Sequence, residues 1–341
     1  MCIRDRFRTW RNFDWATFWS QGANLTKPPH IFHIFHAIAL IYLAYAMRAL
    51  RWKIFLRPVR PQASTWKLFS PTLVGFAGLA LLGRPGELIR PYLIARRENL
   101  TFSSQLAVWA VERIFDIGAF TILLVVAAFF ATAPKRLAYH RSFQEAGLIF
   151  LALSAGLTIG AIAVSRSGEA LASWVERRFS HLAANLGQRV ALRIREFRGG
   201  LDTIHDSWSF VILTVVSVVM WAMIAVAYKE VTHAYHAEDL EIPQSQVLLL
   251  MGSSMVGSII QLPGVGGGSQ LATIAALEHI FDVPKELAAS CGIMLWLVSF
   301  VAVVPVGLLL AHREQLSLRK LSQESHEKEA SEAFPATPPV V

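Results

Sequence analysis

Cysteine is nearly absent from this chain: Cys2 and Cys291 are the two in 341 residues. Two cysteines give neither a disulfide framework nor the spacing of a zinc site, and Cys291, inside an apolar run, reads as an inert packing residue. Charge is scarce too. Charged residues make up 16% of the chain, against roughly a quarter in soluble domains. The alternating apolar and polar runs of a transmembrane β-barrel are missing. So are the Gly-Lys-Ser/Thr ending of a phosphate loop, an HExxH pair, a Rossmann fingerprint and a Ser/His/Asp arrangement. The first eleven residues are polar and basic with no apolar core behind them, which excludes a signal peptide.

What the chain has instead is apolar length. It is 54% hydrophobic with a mean hydropathy of +0.44, and several runs approach or exceed the roughly 20 residues needed to cross a bilayer as helix. The expected fold class is an all-α, polytopic integral membrane protein. The net charge of +8 does not point to nucleic acid. The excess lies beside the apolar segments, at Arg48, Arg51, Lys53, Arg57 and Arg60, at Arg96 and Arg97, between Arg177 and Arg198, and from Arg313 to Lys320. That is the positive-inside pattern of cytoplasmic flanks.

Full spans are expected at about 31–56, 104–133, 145–166, 208–230 and 284–312. Residues 66–97 and 245–282 differ, because Gly and Pro interrupt each near its middle, at Gly83-Arg84-Pro85-Gly86 and at Pro263-Gly264-Val265-Gly266-Gly267-Gly268. Each is expected to be a broken, re-entrant helical hairpin. A shift of about 181 positions lays Gly83 on Gly264, Gly86 on Gly267 and Leu106-Ala107 on Leu287-Ala288. With Arg51 to Lys67 placed in the cytoplasm, the hairpins enter from opposite faces. Two inverted repeats with broken helices are the organisation of secondary transporters. On the same topology residues 167–207 are cytoplasmic and amphipathic, and His233 to Glu241 are external; Lys135, Arg136 and Arg141 fall outside and run against the charge rule. Phe13 to Trp19 reads as an aromatic interfacial segment. Such a segment needs a preceding span to reach the far side, so residues 1–12 are taken as a truncated or non-native start, 13–315 as the membrane domain and 316–341 as a disordered cytoplasmic tail.

Ionisable residues inside a membrane segment usually line a protein interior, a wet cavity or a substrate path. Pro85 suits the first turn of a new helix, with Glu87 in that turn and Arg84 and Arg90 flanking it. Two readings stand: an anion site for a phosphate-bearing head group, or ion pairs that only stabilise the break. On the next helix, Glu112 and Asp116 share a face, and Arg113 can pair with Asp116. These three read equally as lining the same cavity or as a structural ion-pair network. At the second break, Gly264, Gly266 and Gly267 offer backbone N–H groups, and Ser269 and Gln270 add neutral hydrogen bonding; close packing through small residues is the alternative. His33 and His36 form an HxxH pair without a neighbouring carboxylate in sequence, so no metal is assigned. Trp52, Trp66 and Trp208 read as interfacial anchors.

The ordered set Gly83-Arg84-Pro85-Gly86-Glu87-xx-Arg90, Glu112-Arg113-xx-Asp116 and Pro263-Gly264-Val265-Gly266-Gly267 resembles the lysylphosphatidylglycerol synthase transmembrane-region family, often called flippase-like domain proteins. The resemblance covers about residues 13–315 and includes Arg51-Trp52. It implies a multi-pass protein of a bacterial or archaeal inner membrane that moves or handles a lipid. In the best-understood relatives the membrane region flips an aminoacylated phospholipid made by a fused cytoplasmic transferase. This chain carries no such domain after its last span, so lysine transfer is not expected of it alone. Other relatives are linked to glycolipid or polyisoprenoid-linked sugar pathways. Relatives often place an acidic residue where this chain has Ser269 and Gln270.

The sequence therefore supports a lipid translocase-like protein rather than an enzyme, with an anionic or lipid-linked head group held by Arg84, Glu87, Arg90, Glu112, Arg113 and Asp116. The alternatives are a membrane-embedded transferase acting on a lipid-linked sugar or phospholipid, and a non-catalytic partner of a lipid-synthesis enzyme. No cofactor and no nucleic acid are expected, and oligomeric state is left open.

Overall fold

The computed structural model describes residues 13–130, 136–179, 184–201, 207–259 and 267–313, and no strand occurs among them. The chain is an all-α polytopic membrane protein. Asp14 starts the short helix α1 (Trp15–Asn24) by accepting hydrogen bonds from the N–H groups of Ala16 and Thr17. The Thr17 hydroxyl adds a third bond, and this donor set holds the Asp14 carboxyl below its ordinary range. Such caps satisfy the orphan donors of a first turn. The face of α1 carries exposed Trp15 and Trp19, as an interfacial helix should.

Helix α2 (His30–Leu56) has 27 residues, about 40 Å at 1.5 Å per residue and more than the roughly 30 Å of hydrocarbon. Then comes the first interrupted segment. Helix α3 (Thr65–Leu82) stops at Gly83, whose φ of 71° is left-handed. A single 3-10 turn (Arg84–Leu88) leads into α4 (Ile89–Arg97), which runs back along α3. Glycine makes this return possible. A Cβ on Gly86 would lie 2.1 Å from the Gly78 carbonyl oxygen, and one on Gly75 would lie 2.5 Å from Cβ of Arg90. Small residues let two backbones approach where bulk would separate them.

Helix α5 (Phe102–Phe130) and the 44-residue α6 (Arg136–Phe179) pack side by side, with Phe120 and Phe150 in edge contact at 4.9 Å. The expected span at 145–166 is thus the middle of a longer helix. Helix α7 (Ala184–Leu201) folds against the end of α6, where Arg195 bonds Glu169 and Glu176. Helix α8 (Ser207–His233) returns along α2.

The second interrupted segment also has two described helical arms. Helix α9 (Gln244–Gly257) and α10 (Gly268–His279) pack together, and a Cβ on Gly257 would lie 2.2 Å from the Gly268 carbonyl oxygen. Gly267 is left-handed, with φ 67°, and directly precedes α10, whereas Gly83 is separated from α4 by the 3-10 turn. Among the described glycines, Gly83 and Gly267 share this left-handed backbone. Residues 260–266, including Gln261, Pro263, Gly264 and Gly266, lie outside the described residues.

The span expected over 284–312 is not one regular helix. α11 (Lys285–Trp296) passes through a π-turn (Leu297–Val301) into α12 (Val304–Arg313). Pro305 has no N–H to donate to the preceding turn. The Tyr45 and Tyr42 hydroxyls of α2 donate to the carbonyls of Ser299 and Ala302 on this stretch. The main apolar core lies among α2, α5, α8, α9, α10 and α11 and includes the buried side chains of Phe120, Met220, Leu250 and Leu277.

Candidate functional site

The charged residues meet where α2, α4, α5 and α8 adjoin. Helix α5 supplies Glu112 and Asp116, one turn apart and both buried. They stand about 15–21 Å along the helix from Phe102 at 1.5 Å per residue, well inside the membrane. Helix α2 supplies two guanidinium groups. Arg51 donates to Glu112 Oε1 and to Asp116 Oδ1, each at 2.6 Å, and to Ser217 Oγ of α8 at 2.9 Å. Arg48 donates to Asp116 Oδ2 at 3.1 Å. Arg90 of the first hairpin bonds both oxygens of Glu112 and lies over the Trp52 ring, 4.4 Å from its centroid. Arg113 reaches Asp116 Oδ2 at 3.1 Å and Glu112 Oε2 at 3.6 Å. Trp221 of α8 donates its indole N–H to Asp116 Oδ1 at 3.1 Å.

Two buried carboxylates therefore face four guanidinium groups, those of Arg48, Arg51, Arg90 and Arg113. Arg51 is wholly buried and Arg90 nearly so, whereas the Arg113 side chain is 31% exposed. Buried charges persist only when paired and hydrogen-bonded, and here the pairing is dense.

Beside this cluster is a small, half-open cleft of about 20 Å³, lined by Gly75, Phe76 and Leu79, by Glu87 and Arg90, and by Trp109 and Arg113. Glu87 connects it to the break. Its Oε1 accepts from Arg84 at 2.6 Å, and the other arm of Arg84 donates to the Ser258 carbonyl at 2.6 Å and approaches Ser258 Oγ at 3.2 Å. Ser258 directly follows α9, so Arg84 ties the first break to the end of the first arm of the second hairpin.

Among the expected site residues, the structure brings Arg90, Glu112, Arg113 and Asp116 into one buried network, with Arg84 and Glu87 as an adjoining, more accessible pair. Asp116 does not line the cleft; it lies behind it. Glu87 pairs with Arg84, while Arg90 is committed to Glu112. Gly267 is buried. Ser269 is 1% exposed with no partner for its hydroxyl among the described residues, and Gln270 is half-buried. Gly264 and Gly266 are outside the described residues.

Several participants were not anticipated. Arg48 and Arg51 read from sequence as flanking charges at the inner end of a span, yet they are the central donors to both carboxylates. Trp52, expected as an interfacial anchor, is fully buried and bonds Gln105, while Trp66 and Trp208 remain exposed. The available signal was two arginines three residues apart inside an apolar helix, a spacing that puts them on one face.

The lysylphosphatidylglycerol synthase TM region matches this chain over residues 7–307. The chain belongs to that family. The match contains every helix that builds the charged cluster and the cleft, and both interrupted segments. The chain is also similar to a UPF0104 membrane protein of Methanothermobacter thermautotrophicus (strain Delta H), at 23% identity over 275 residues covering 78% of each protein. No solved structure matches the chain.

Proposed function

We propose that this protein is a multi-pass, inner-membrane lipid translocase-like protein that handles an anionic or lipid-linked head group in the cleft between the first hairpin and α5. The observation that carries the reading is the excess of guanidinium over carboxylate around that cleft. Arg113 and Arg84 are the accessible members, and Arg90 lines the wall beside them. Guanidinium groups match phosphate oxygens in pairs and are held here in a water-poor setting that strengthens the interaction. Glu87 keeps Arg84 oriented and offers a carboxylate to a cationic part of the same head group. The two hairpins are inverted repeats in this reading, and the Arg84–Ser258 contact is where one would move past the other. Acyl chains would stay in the bilayer while the head group crosses.

The test is reconstitution of the full chain in vesicles with a head-group-labelled anionic phospholipid, with mass spectrometry of lipids that co-purify. Arg113→Gln and Arg84→Gln should each lower retention and transport at least tenfold while leaving the helical content unchanged. Unaltered transport by both variants would refute the phosphate role.

A further inference from the structure

At the end of α2 and α8 opposite the charged cluster, five titratable side chains gather that the proposed site does not use. Glu230 of α8 sits between two imidazoles of α2, 2.6 Å from His33 Nδ1 and 3.4 Å from His36 Nδ1. His30, one turn earlier, places its Nδ1 at 2.7 Å from the carbonyl oxygen of Ala234, so that nitrogen donates and carries hydrogen. The His236 ring stands edge-on to His30 at 4.5 Å and to His33 at 5.6 Å between centroids. Its backbone is left-handed, with φ 47°, a conformation uncommon outside glycine. The chain thus turns sharply after α8 to bring a fourth imidazole onto the other three.

We infer that these groups form a proton-binding clasp, in which uptake of protons by the four histidines loosens the contact between the ends of α2 and α8. The charge count sets the direction. With neutral rings, Glu230 accepts from His33 and His36 and the helix ends are joined. A first proton on His33 or His36 makes an ion pair and keeps them joined. Each further proton adds positive charge to rings already in edge contact, and among the described residues Glu230 is the one carboxylate paired with them. Imidazole is the side chain whose charge ordinarily changes between about pH 5 and 8.

Among the described residues no other carboxylate forms an ion pair with these histidines. Helices α2, α5, α9 and α11 pack on α8. Of these, α9 has no charged residue, α5 holds its Glu112, Arg113 and Asp116 in the distant cluster, and α11 carries Lys285 and Glu286. Lys229 and His233 flank Glu230 on α8 itself, and Glu238, Asp239 and Glu241 follow in the next turn. Among the described residues Glu230 forms ion pairs with His33 and His36 and no other group. The clasp matters because the same two helices hold Arg48, Arg51, Ser217 and Trp221 around the buried carboxylates, so their spacing is shared by both ends.

The inference does not depend on lipid handling, and its test involves no lipid head group. Spin labels at Phe32→Cys and Glu238→Cys, both exposed positions, are placed in the full chain with Cys2 replaced by Ser and buried Cys291 retained. Pulsed-dipolar distances are read in nanodiscs of neutral lipid at pH 8 and pH 5. The expected result is a separation that lengthens or broadens by several ångströms on acidification, and that becomes pH-independent when His30, His33, His36 and His236 are all replaced by Gln. A pH-independent distance in the parent protein overturns the clasp, as does a shift that survives the fourfold replacement. Should the fourfold variant fail to fold, His236→Asn, which tolerates the left-handed backbone, removes both edge contacts and must at least halve the change; an undiminished change also overturns the inference.

Discussion

Replacing Glu112 by Gln isolates what the buried network contributes. The substitution keeps the side-chain volume, removes one of two negative charges, and turns one acceptor oxygen into an NH2 group aimed at guanidinium donors. Glu112 accepts from Arg51 at 2.6 Å and from Arg90 with both oxygens, while Arg48 and Arg113 stand at 3.8 and 3.6 Å. Afterwards four arginines share Asp116. Removing one partner of a buried pair costs about 3–5 kcal/mol because the remaining charge is stranded, a large share of the roughly 5–15 kcal/mol that holds a typical fold. Unfolding followed by far-UV circular dichroism in mixed micelles should therefore show Glu112→Gln destabilised by about 3–5 kcal/mol. Arg90, whose carboxylate partner is Glu112, supplies the control. The double variant Glu112→Gln/Arg90→Gln should recover at least about 1 kcal/mol relative to additivity, the coupling expected of contacting residues. Glu87→Gln should cost about 0–1 kcal/mol, as for an accessible pair. A Glu112→Gln variant within about 1 kcal/mol of the parent, or strictly additive losses in the cycle, would refute the reasoning.

The close approach within the first hairpin is equally testable. Gly86→Ala drives a Cβ to 2.1 Å from the Gly78 carbonyl oxygen and should cost about 1–3 kcal/mol through forced backbone displacement, whereas Gly160→Ala, with nothing within 4 Å, should be neutral in the same unfolding assay. Orientation is read from Trp174→Cys, an exposed site on the segment assigned to the cytoplasm: with Cys2 replaced, it should resist an impermeant thiol reagent in intact cells and react after permeabilisation, and ready labelling in intact cells would invert the topology.

Much of the architecture was legible because the bilayer narrows the options. Apolar runs of spanning length marked α2, α5 and α8, and Gly83 and Gly267 marked the interruptions, since a left-handed turn at membrane depth is difficult for other residues. The i, i+4 spacing placed Glu112 and Asp116 on one face without a structure. What stayed hidden was long-range partnership. Arg48 and Arg51 lie toward the C-terminal end of α2, where flanking arginine is ordinary, and their carboxylates are more than 60 residues away in sequence. Glu230 was missed for the same reason: the HxxH pair of α2 lacked a local carboxylate, and the helix that supplies one returns almost 200 positions later.

The charge imbalance weighs on how the cluster is understood. A network selected only to join helices would gain most from equal numbers, since each unmatched charge at mid-membrane costs about 2.5–3.5 kcal/mol on the insertion scale. This one has four guanidinium groups against two carboxylates. The most enclosed arginine, Arg51, has the fullest set of acceptors. The one with the greatest exposure is Arg113, on the cleft wall. The positive excess is therefore graded toward the cleft rather than spread through the network. Arg84 adds a further guanidinium at the mouth of the break, matched by Glu87. Such grading reconciles the two readings that the sequence left level: the inner part of the cluster fixes α2, α4, α5 and α8 to one another, and the same fixed frame presents its unmatched charge where an anion could reach it.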